Sequence, residues 1–191
     1  SLSHDVKTPL ASLVGYLEAV ENKIVPGEEK DEYIHVAHEK AQYMKSFVEN
    51  LFEWVKLDSG EQIFHFEKID LNELSRNIIA DWVLVLENNH FEYEFIIPET
   101  EYFIRIDVNA YTRVLNNLLQ NIIIHSEGDK MELHIYEDMQ QAKIIIWDNG
   151  KGITSDNLPH IFERMYQCDQ SRSAKGNGLG LAITKELISV H

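Results

Sequence analysis

The sequence contains a single cysteine, Cys168, so an internal disulfide is excluded and a reducing compartment is indicated. Apolar runs are short, such as Ile144-Ile145-Ile146-Trp147, whereas a membrane-spanning helix needs roughly 20 consecutive apolar residues. The opening Ser1 to Asp5 lacks the basic start and apolar middle of a signal peptide. Basic residues are scarce, 17 Lys and Arg against 32 Asp and Glu, for a net charge of −15. This balance argues against nucleic acid as the main partner, because phosphate-backbone binding needs a basic face. A phosphate ligand must then be held locally, by a helix N-terminus, a glycine loop, a metal ion or a few cations. There is no internal repeat, no low-complexity tract, and no glycine-lysine-serine or glycine-lysine-threonine loop of the Walker type.

What is present is an ordinary core-forming composition, 44% hydrophobic and 26% charged, in a chain of 191 residues that suits one large domain or two small ones. Val6, Leu10, Leu13, Val14, Leu17 and Val20 recur at spacings of three and four, the signature of one apolar helical stripe. Val25-Pro26-Gly27-Glu28 breaks it, and a second stripe runs through Ile34, Ala37, Ala41, Met44, Val48, Leu51, Phe52 and Val55 to a stop at Gly60. Two such helices form an antiparallel hairpin. One hairpin cannot cover both stripes, and pairing with a second copy into a four-helix bundle would. From about Glu61 the pattern becomes mixed, after a linker near Leu57 to Glu61. Strands are expected at Ile63 to Phe66, Phe91 to Phe95, Met131 to Tyr136 and Ala142 to Trp147. Helices are expected at Leu71 to Leu86, Asp107 to Ser126 and Gly178 to Val190. Interleaving of this kind gives an α/β sandwich. The fold class is thus α + α/β, with residues 1–60 as the helical hairpin and 61–191 as the sandwich.

Four stretches carry chemistry. In Ser3-His4-Asp5-Val6-Lys7-Thr8-Pro9-Leu10, His4 and Thr8 lie four apart on one helix face. Asp5 can fix the tautomer of the imidazole, which leaves a neutral nitrogen as nucleophile toward phosphorus, and Pro9 should bend the helix. Taken alone, His-Asp near a helix start is more often a capped terminus. Asn117 and Asn121 in Asn116-Asn117-Leu118-Leu119-Gln120-Asn121 also share a helix face, and carboxamides suit Mg²⁺ beside phosphates because they add no negative charge. Asp148-Asn149-Gly150-Lys151-Gly152 follows an apolar run, where an Asp could accept from an exocyclic amine and Gly150 and Gly152 would let the backbone approach a flat ring. Without that context it is a plain glycine turn. Gly176-Asn177-Gly178-Leu179-Gly180-Leu181 opens a helix as a phosphate cradle would. A dinucleotide fingerprint would need a preceding strand and an acid roughly 20 residues on, whereas no clear strand precedes Gly176 and the sequence runs only eleven residues past Gly180.

In order and spacing these stretches resemble the boxes of bacterial sensor histidine kinases. The first resembles the phosphoacceptor box, the second the asparagine box, and the other two the glycine boxes, with Ile161-Phe162-Glu163-Arg164-Met165-Tyr166 between them similar to the phenylalanine box. The resemblance implies a dimeric helical hairpin followed by a Bergerat-type α/β sandwich, as in gyrase and Hsp90-like ATPases. It makes His4 the phosphorylated residue, Asp5 its general base or orienting acid, and Thr8 the residue used in dephosphorylating the partner. It makes Asn121 the Mg²⁺ ligand, Asn117 a contact to phosphate or metal, and Asp148 the partner of the adenine amino group. Phe162 would anchor a lid over ATP, Arg164, Arg172 or Lys175 would meet phosphate charge, and Gly176, Gly178, Gly180 and Leu181 would line the loop. The implied cofactors are ATP and Mg²⁺, and the implied partners are a second copy of the chain and a response regulator receiver domain. The implied location is the cytoplasm, in a parent protein anchored in the bacterial inner membrane through a sensor segment absent from this chain.

The sequence also departs from the family. Ile122, Ile123, Ile124 and His125 stand where Ala, a variable residue, Lys and Tyr are usual, so a phosphate contact is missing at Ile124 and an adenine contact is altered at His125. Relative to the family the chain starts inside the first helix and stops before a final strand pair, as a fragment would. Two rival functions follow: a non-catalytic or phosphatase-dominant dimeric scaffold, favoured by the isoleucines, and an ATPase of this fold without a phosphohistidine, disfavoured by Ser3 to Leu10.

Overall fold

The computed structural model describes residues 2–139, 141–168, 176 and 178–191, with side chains from Val6 onward. The chain forms two compact units divided between Val55 and Lys56.

The first unit is a helical hairpin of α1, Leu2–Glu21, and α2, Lys30–Asp58. α1 runs unbroken through Pro9, at the cost of the one intrahelical bond a proline cannot donate. α2 opens with Asp31 and Glu32, whose charges oppose the positive helix start. Tyr16 meets Tyr33 edge-on at 5.2 Å between ring centroids, and Tyr43 stacks on Phe47 at 6.4 Å. The apolar stripe expected on α2 divides in two. Ala37 is buried, and so is Phe47, which the periodicity had left out. Ile34, Val48, Phe52 and Val55 stay exposed, with Phe52 at 65%, as do Leu10, Val14 and Leu17 on α1. The cause is geometric: heptad-spaced positions 34, 41, 48 and 55 lie beside the face that meets α1, not on it.

Among the described residues, the second unit holds two sheets and three α-helices. β1, Phe66–Asp70, pairs antiparallel with β3, Phe103–Asp107, with Phe66 opposite Asp107. β2, Glu92–Ile96, runs parallel to β4, Lys130–Asp138, which pairs antiparallel with β5, Gln141–Asp148, in the order β2-β4-β5. The helices are α3, Leu71–Asn88, α4, Val108–His125, and α5, Gly180–Val190. A 3₁₀ turn spans Leu158–His160.

Two helices start where a strand ends, each on an aspartate. Asp70 Oδ1 accepts from the Asn72 and Tyr102 N–H groups at 3.1 and 3.0 Å. Asp107 Oδ1 accepts from Ala110 N–H at 2.9 Å, and its Oδ2 from His65 N–H at 2.7 Å. These caps fix the axes of α3 and α4 relative to the strands. Leu133 and Ile135 of β4 pack with Leu71, Ile78 and Ile79 of α3 and Tyr111 and Leu115 of α4. Leu86, Phe91, Leu119, Ile122 and Met131 form a second cluster. Within the first, Ser75 and Tyr111 join their hydroxyls at 2.7 Å.

The first strand differs from expectation. Ile63 to His65 is not a strand, Ile63 is 74% exposed, and the ladder begins at Phe66. Phe64 owes its place to rings: it lies 6.0 Å from Phe66 and meets His191 edge-on at the same distance. Its partner β3 was not foreseen at all. His191, at the end of α5, accepts from Asp107 N–H through Nε2 at 3.0 Å and lies 2.7 Å from Leu187 O through Nδ1.

Candidate functional site

His4 and Asp5 lie in α1 by backbone, and their side chains are outside the described residues. Thr8, one turn on, is exposed. On a continuous helix His4 and Thr8 share a face.

In the second unit the site grows from the C-terminal half of α4. Asn117 Nδ2 donates to Gly180 O at 3.2 Å and to Thr184 Oγ1 at 3.3 Å, so this amide holds the first turn of α5. Its neighbour Asn116 accepts from Trp82 Nε1–H at 2.8 Å. Asn121 is half-buried. Ile122 is 7% exposed and belongs to the core, so it cannot obstruct a ligand pocket. His125 lies against the second glycine segment: a Cβ on Gly176 would stand 3.3 Å from its Nε2.

The Asp148 turn closes onto the end of the same helix. Asp148 Oδ1 accepts from Gly150 N–H at 2.9 Å. A side chain at Gly150 would meet Ser126 O at 2.3 Å, so only glycine fits there. Gly152 has φ +69 in open space, a conformation that favours glycine for a different reason. Asn149 locks the turn: its Oδ1 accepts from the Asp129 and Lys130 N–H groups at 3.0 and 2.9 Å, and its Nδ2 donates to Asp129 Oδ1 at 2.8 Å. Lys151 N–H donates to Ser126 O at 2.8 Å. The shaping roles of Ser126 and Asn149 escaped sequence reasoning, although Asp-Asn-Gly and Ser-Glu-Gly are both turn signals.

Beyond the turn, Phe162 and Arg164 are exposed, and Arg172 and Lys175 lie outside the described residues. The flanks of the intervening segment are fastened together. Met165, at φ +60, donates its N–H to Gly178 O at 2.8 Å, and Gln167 Nε2 donates to Gly176 O at 2.6 Å. Gly178, at φ +66, packs so tightly on Met165 that a Cβ would reach its backbone at 2.8 Å. Gly180 and Leu181 then open α5, whose start carries no side-chain cap. Backbone N–H groups at a helix start suit an anion. Asn117, the Asp148 turn and the second glycine segment therefore converge on α4.

Residues 1–60 match the family model described as "His Kinase A (phospho-acceptor) domain". Residues 106–191 match that described as "Histidine kinase-, DNA gyrase B-, and HSP90-like ATPase". The chain belongs to the sensor histidine kinases. Its hairpin followed by an α/β ATPase domain is the architecture of this family. Among curated relatives, Sensor histidine kinase YcbM of Bacillus subtilis is 31% identical over 98% of this histidine kinase chain and 61% of its own length. The chain spans less than two thirds of the first relatives it matches, down to 32%. Among solved structures, Acinetobacter baumannii histidine kinase AdeS is superposable with a TM-score of 0.77 at 19% identity, covering 97% of this chain and 86% of that one. Histidine kinase ThkA, in complex with response regulator protein TrrA, gives 0.73 at 18% identity over 87% of this chain and 49% of that one. Among the described residues of this histidine kinase, no helix is long and apolar enough to cross a membrane.

Proposed function

We propose that this chain is the phosphotransfer core of a sensor histidine kinase, which moves the γ-phosphoryl group of ATP onto His4 and then onto an aspartate of a response regulator. The observation that carries the reading is the joint presence, in one chain, of a phosphoacceptor helix bearing Ser3 to Leu10 and an ATPase-type site built on α4. Residues 1–60 act as dimerisation and phosphoacceptor domain, and 61–191 as the ATP-binding domain. The exposed stripe of Leu10, Val14, Leu17, Ile34, Val48, Phe52 and Val55 supports pairing of two hairpins into a four-helix bundle. The parent protein is cytoplasmic in this part and membrane-anchored elsewhere.

In the nucleotide site, Asp148 accepts from the adenine amine while Gly150 and Gly152 let the backbone approach the ring. Gly176, Gly178, Gly180 and Leu181 shape the loop that meets the phosphates, with the uncapped start of α5 adding N–H groups. Phe162 anchors the covering segment, and Arg164, Arg172 or Lys175 balance phosphate charge. Mg²⁺ fits the donors present. Among the described residues no cluster of three His, Cys, Asp or Glu forms a closed metal cage, while Asn121 carries a half-buried carboxamide on the site side of α4. A hard cation held by one or two protein oxygens and completed by phosphates matches that set. Asn121 would hold it, and the ion would supply charge neutralisation on the phosphates.

At His4, a bond forms between an imidazole nitrogen and the γ-phosphorus as the bond to the bridging oxygen breaks and ADP leaves. Asp5 orients the ring and takes up its proton, and Thr8 serves the reverse reaction on the phosphorylated partner. Positioning supplies most of the rate in such transfers. A test is incubation with γ-labelled ATP and Mg²⁺. The expected outcome is acid-labile label on the wild type and none on His4→Ala. A folded, nucleotide-binding wild type without label would favour the rival scaffold, which Ile124 in place of a lysine supports.

A further inference from the structure

An open depression of about 440 Å³ lies between α3 and α4, lined by Asp81, Trp82, Arg113, Asn116, Asn117 and Gln120. The four α4 residues stand at i, i+3, i+4 and i+7, which is one face of a helix. The two adjacent asparagines are clamped in opposite senses. Trp82 Nε1–H can only donate, and it points at Asn116 Oδ1 at 2.8 Å. That oxygen is taken, so the Nδ2 end of Asn116 is the part left for a ligand. Gly180 O can only accept, and Asn117 Nδ2 serves it at 3.2 Å together with Thr184 Oγ1 at 3.3 Å. Both hydrogens of that amide are spent, so Asn117 has an oxygen to offer. One side of the depression therefore donates, through Arg113 and Asn116, and the adjoining position accepts, as suits a cation. Gln120 can do either, and the exposed Asp81 is the one carboxylate in the lining.

α4 rises about 1.5 Å per residue, so Arg113 is rooted about 6 Å beyond Asn117 and about 12 Å beyond Asn121. A nucleotide with its base at Asp148 and its cation at Asn121 would carry its last phosphate toward that end. The chain is poor in cations, and Ile124 supplies none near the phosphates.

We propose that this depression is a phosphoryl subsite, in which Arg113 and the Nδ2 of Asn116 bind the terminal phosphate of the nucleotide and Trp82 is a positioning residue for Asn116. The proposal rests on the nucleotide-binding reading above and adds Arg113 and Trp82, which lie outside the quoted boxes, and a role for Asn116 within one of them. It also settles the sense of Asn117, which meets the metal side of the triphosphate and not its oxygens.

The test uses the whole chain and compares a non-hydrolysable ATP analogue with ADP, both with Mg²⁺, by calorimetric titration. Arg113→Gln and Asn116→Asp should each weaken the analogue roughly tenfold or more, the effect of losing one charge-assisted bond, while ADP stays within about twofold. Trp82→Phe should weaken the analogue only, by a smaller factor. Thermal melts of each variant establish that it is folded. Equal losses for both nucleotides, or no loss for either, would overturn the subsite. Inorganic phosphate separates the source of the group: competition against the analogue but not ADP, abolished in Arg113→Gln, supports the subsite, and equal competition against both overturns it. The labelling of His4 is an independent axis. Lost labelling with the expected analogue-to-ADP change sinks the kinase reading and leaves the subsite, and intact labelling with an unchanged ratio does the opposite.

Discussion

Asp107→Asn keeps the shape of a buried side chain and removes its charge, and its consequences can be worked through. Asp107 is 5% exposed, and both oxygens accept from backbone N–H groups, Ala110 at 2.9 Å and His65 at 2.7 Å. An asparagine can satisfy one of them and must turn its NH₂ toward the other. Asparagine is itself a good N-cap, so the Ala110 bond survives and the loss falls on His65. A hydrogen bond to a charged group contributes roughly 1.5–3 kcal/mol, so about 2 kcal/mol should disappear. In a unit of this size that lowers the melting temperature by roughly 6–8 °C. Burial by itself would raise the Asp107 carboxyl. The N–H groups of His65, Ala110 and Asn109 and the His191 imidazole outweigh it, so the group ends below its ordinary 3.8. Its stabilisation is therefore complete above that ordinary value and is lost as pH falls through the lower folded one. Melts of both proteins at neutral pH and near pH 3 should show a wide gap that narrows in acid. Equal melting at neutral pH, or a gap indifferent to acid, would refute the assignment of Asp107 as a charged double acceptor.

Gly150→Ala places a methyl 2.3 Å from Ser126 O and 2.6 Å from Asp148 Oδ1, and nucleotide affinity should fall at least about tenfold. Gly152→Ala meets open space in the fold and bears only the strain of φ +69, about 1 kcal/mol, so its melting temperature should fall less than that of Gly150→Ala. Val48→Asp puts a charge into the exposed stripe, and light scattering should find a monomer where the wild type is a dimer; a monomeric wild type would end the four-helix bundle proposal.

Much of the scaffold could be read from the residues because the signals were local. α4 was legible from its period and from Asp107, which marks its start. β3 was not, since Phe103 to Asp107 is five residues long and its partner begins at Phe66, far back in the chain. The burial of Phe47 over Val48 was likewise hidden, because periodicity gives a stripe but not which edge of it meets the neighbouring helix. In the site, sequence placed Asn117 and Asn121 on one face correctly. It could not say which end of the Asn117 amide faces outward, because Gly180 and Thr184 decide that from 63 and 67 residues away. The closeness of Gly150 to Ser126 was invisible for the same reason: two turns must fold against each other before either glycine has a purpose.

Helix α5 is pinned at both extremities, by Asn117 at Gly180 and by His191 against Asp107, Phe64 and Phe66. A strut held in this way transmits load and absorbs none. Any rearrangement of the glycine loop has two outlets: Gly178 pivots on its own backbone, or the push travels eleven residues and unseats an aromatic pair at the start of β1. Small motions around a phosphate would then be felt at the far edge of the sandwich as the tilt of two phenylalanine rings.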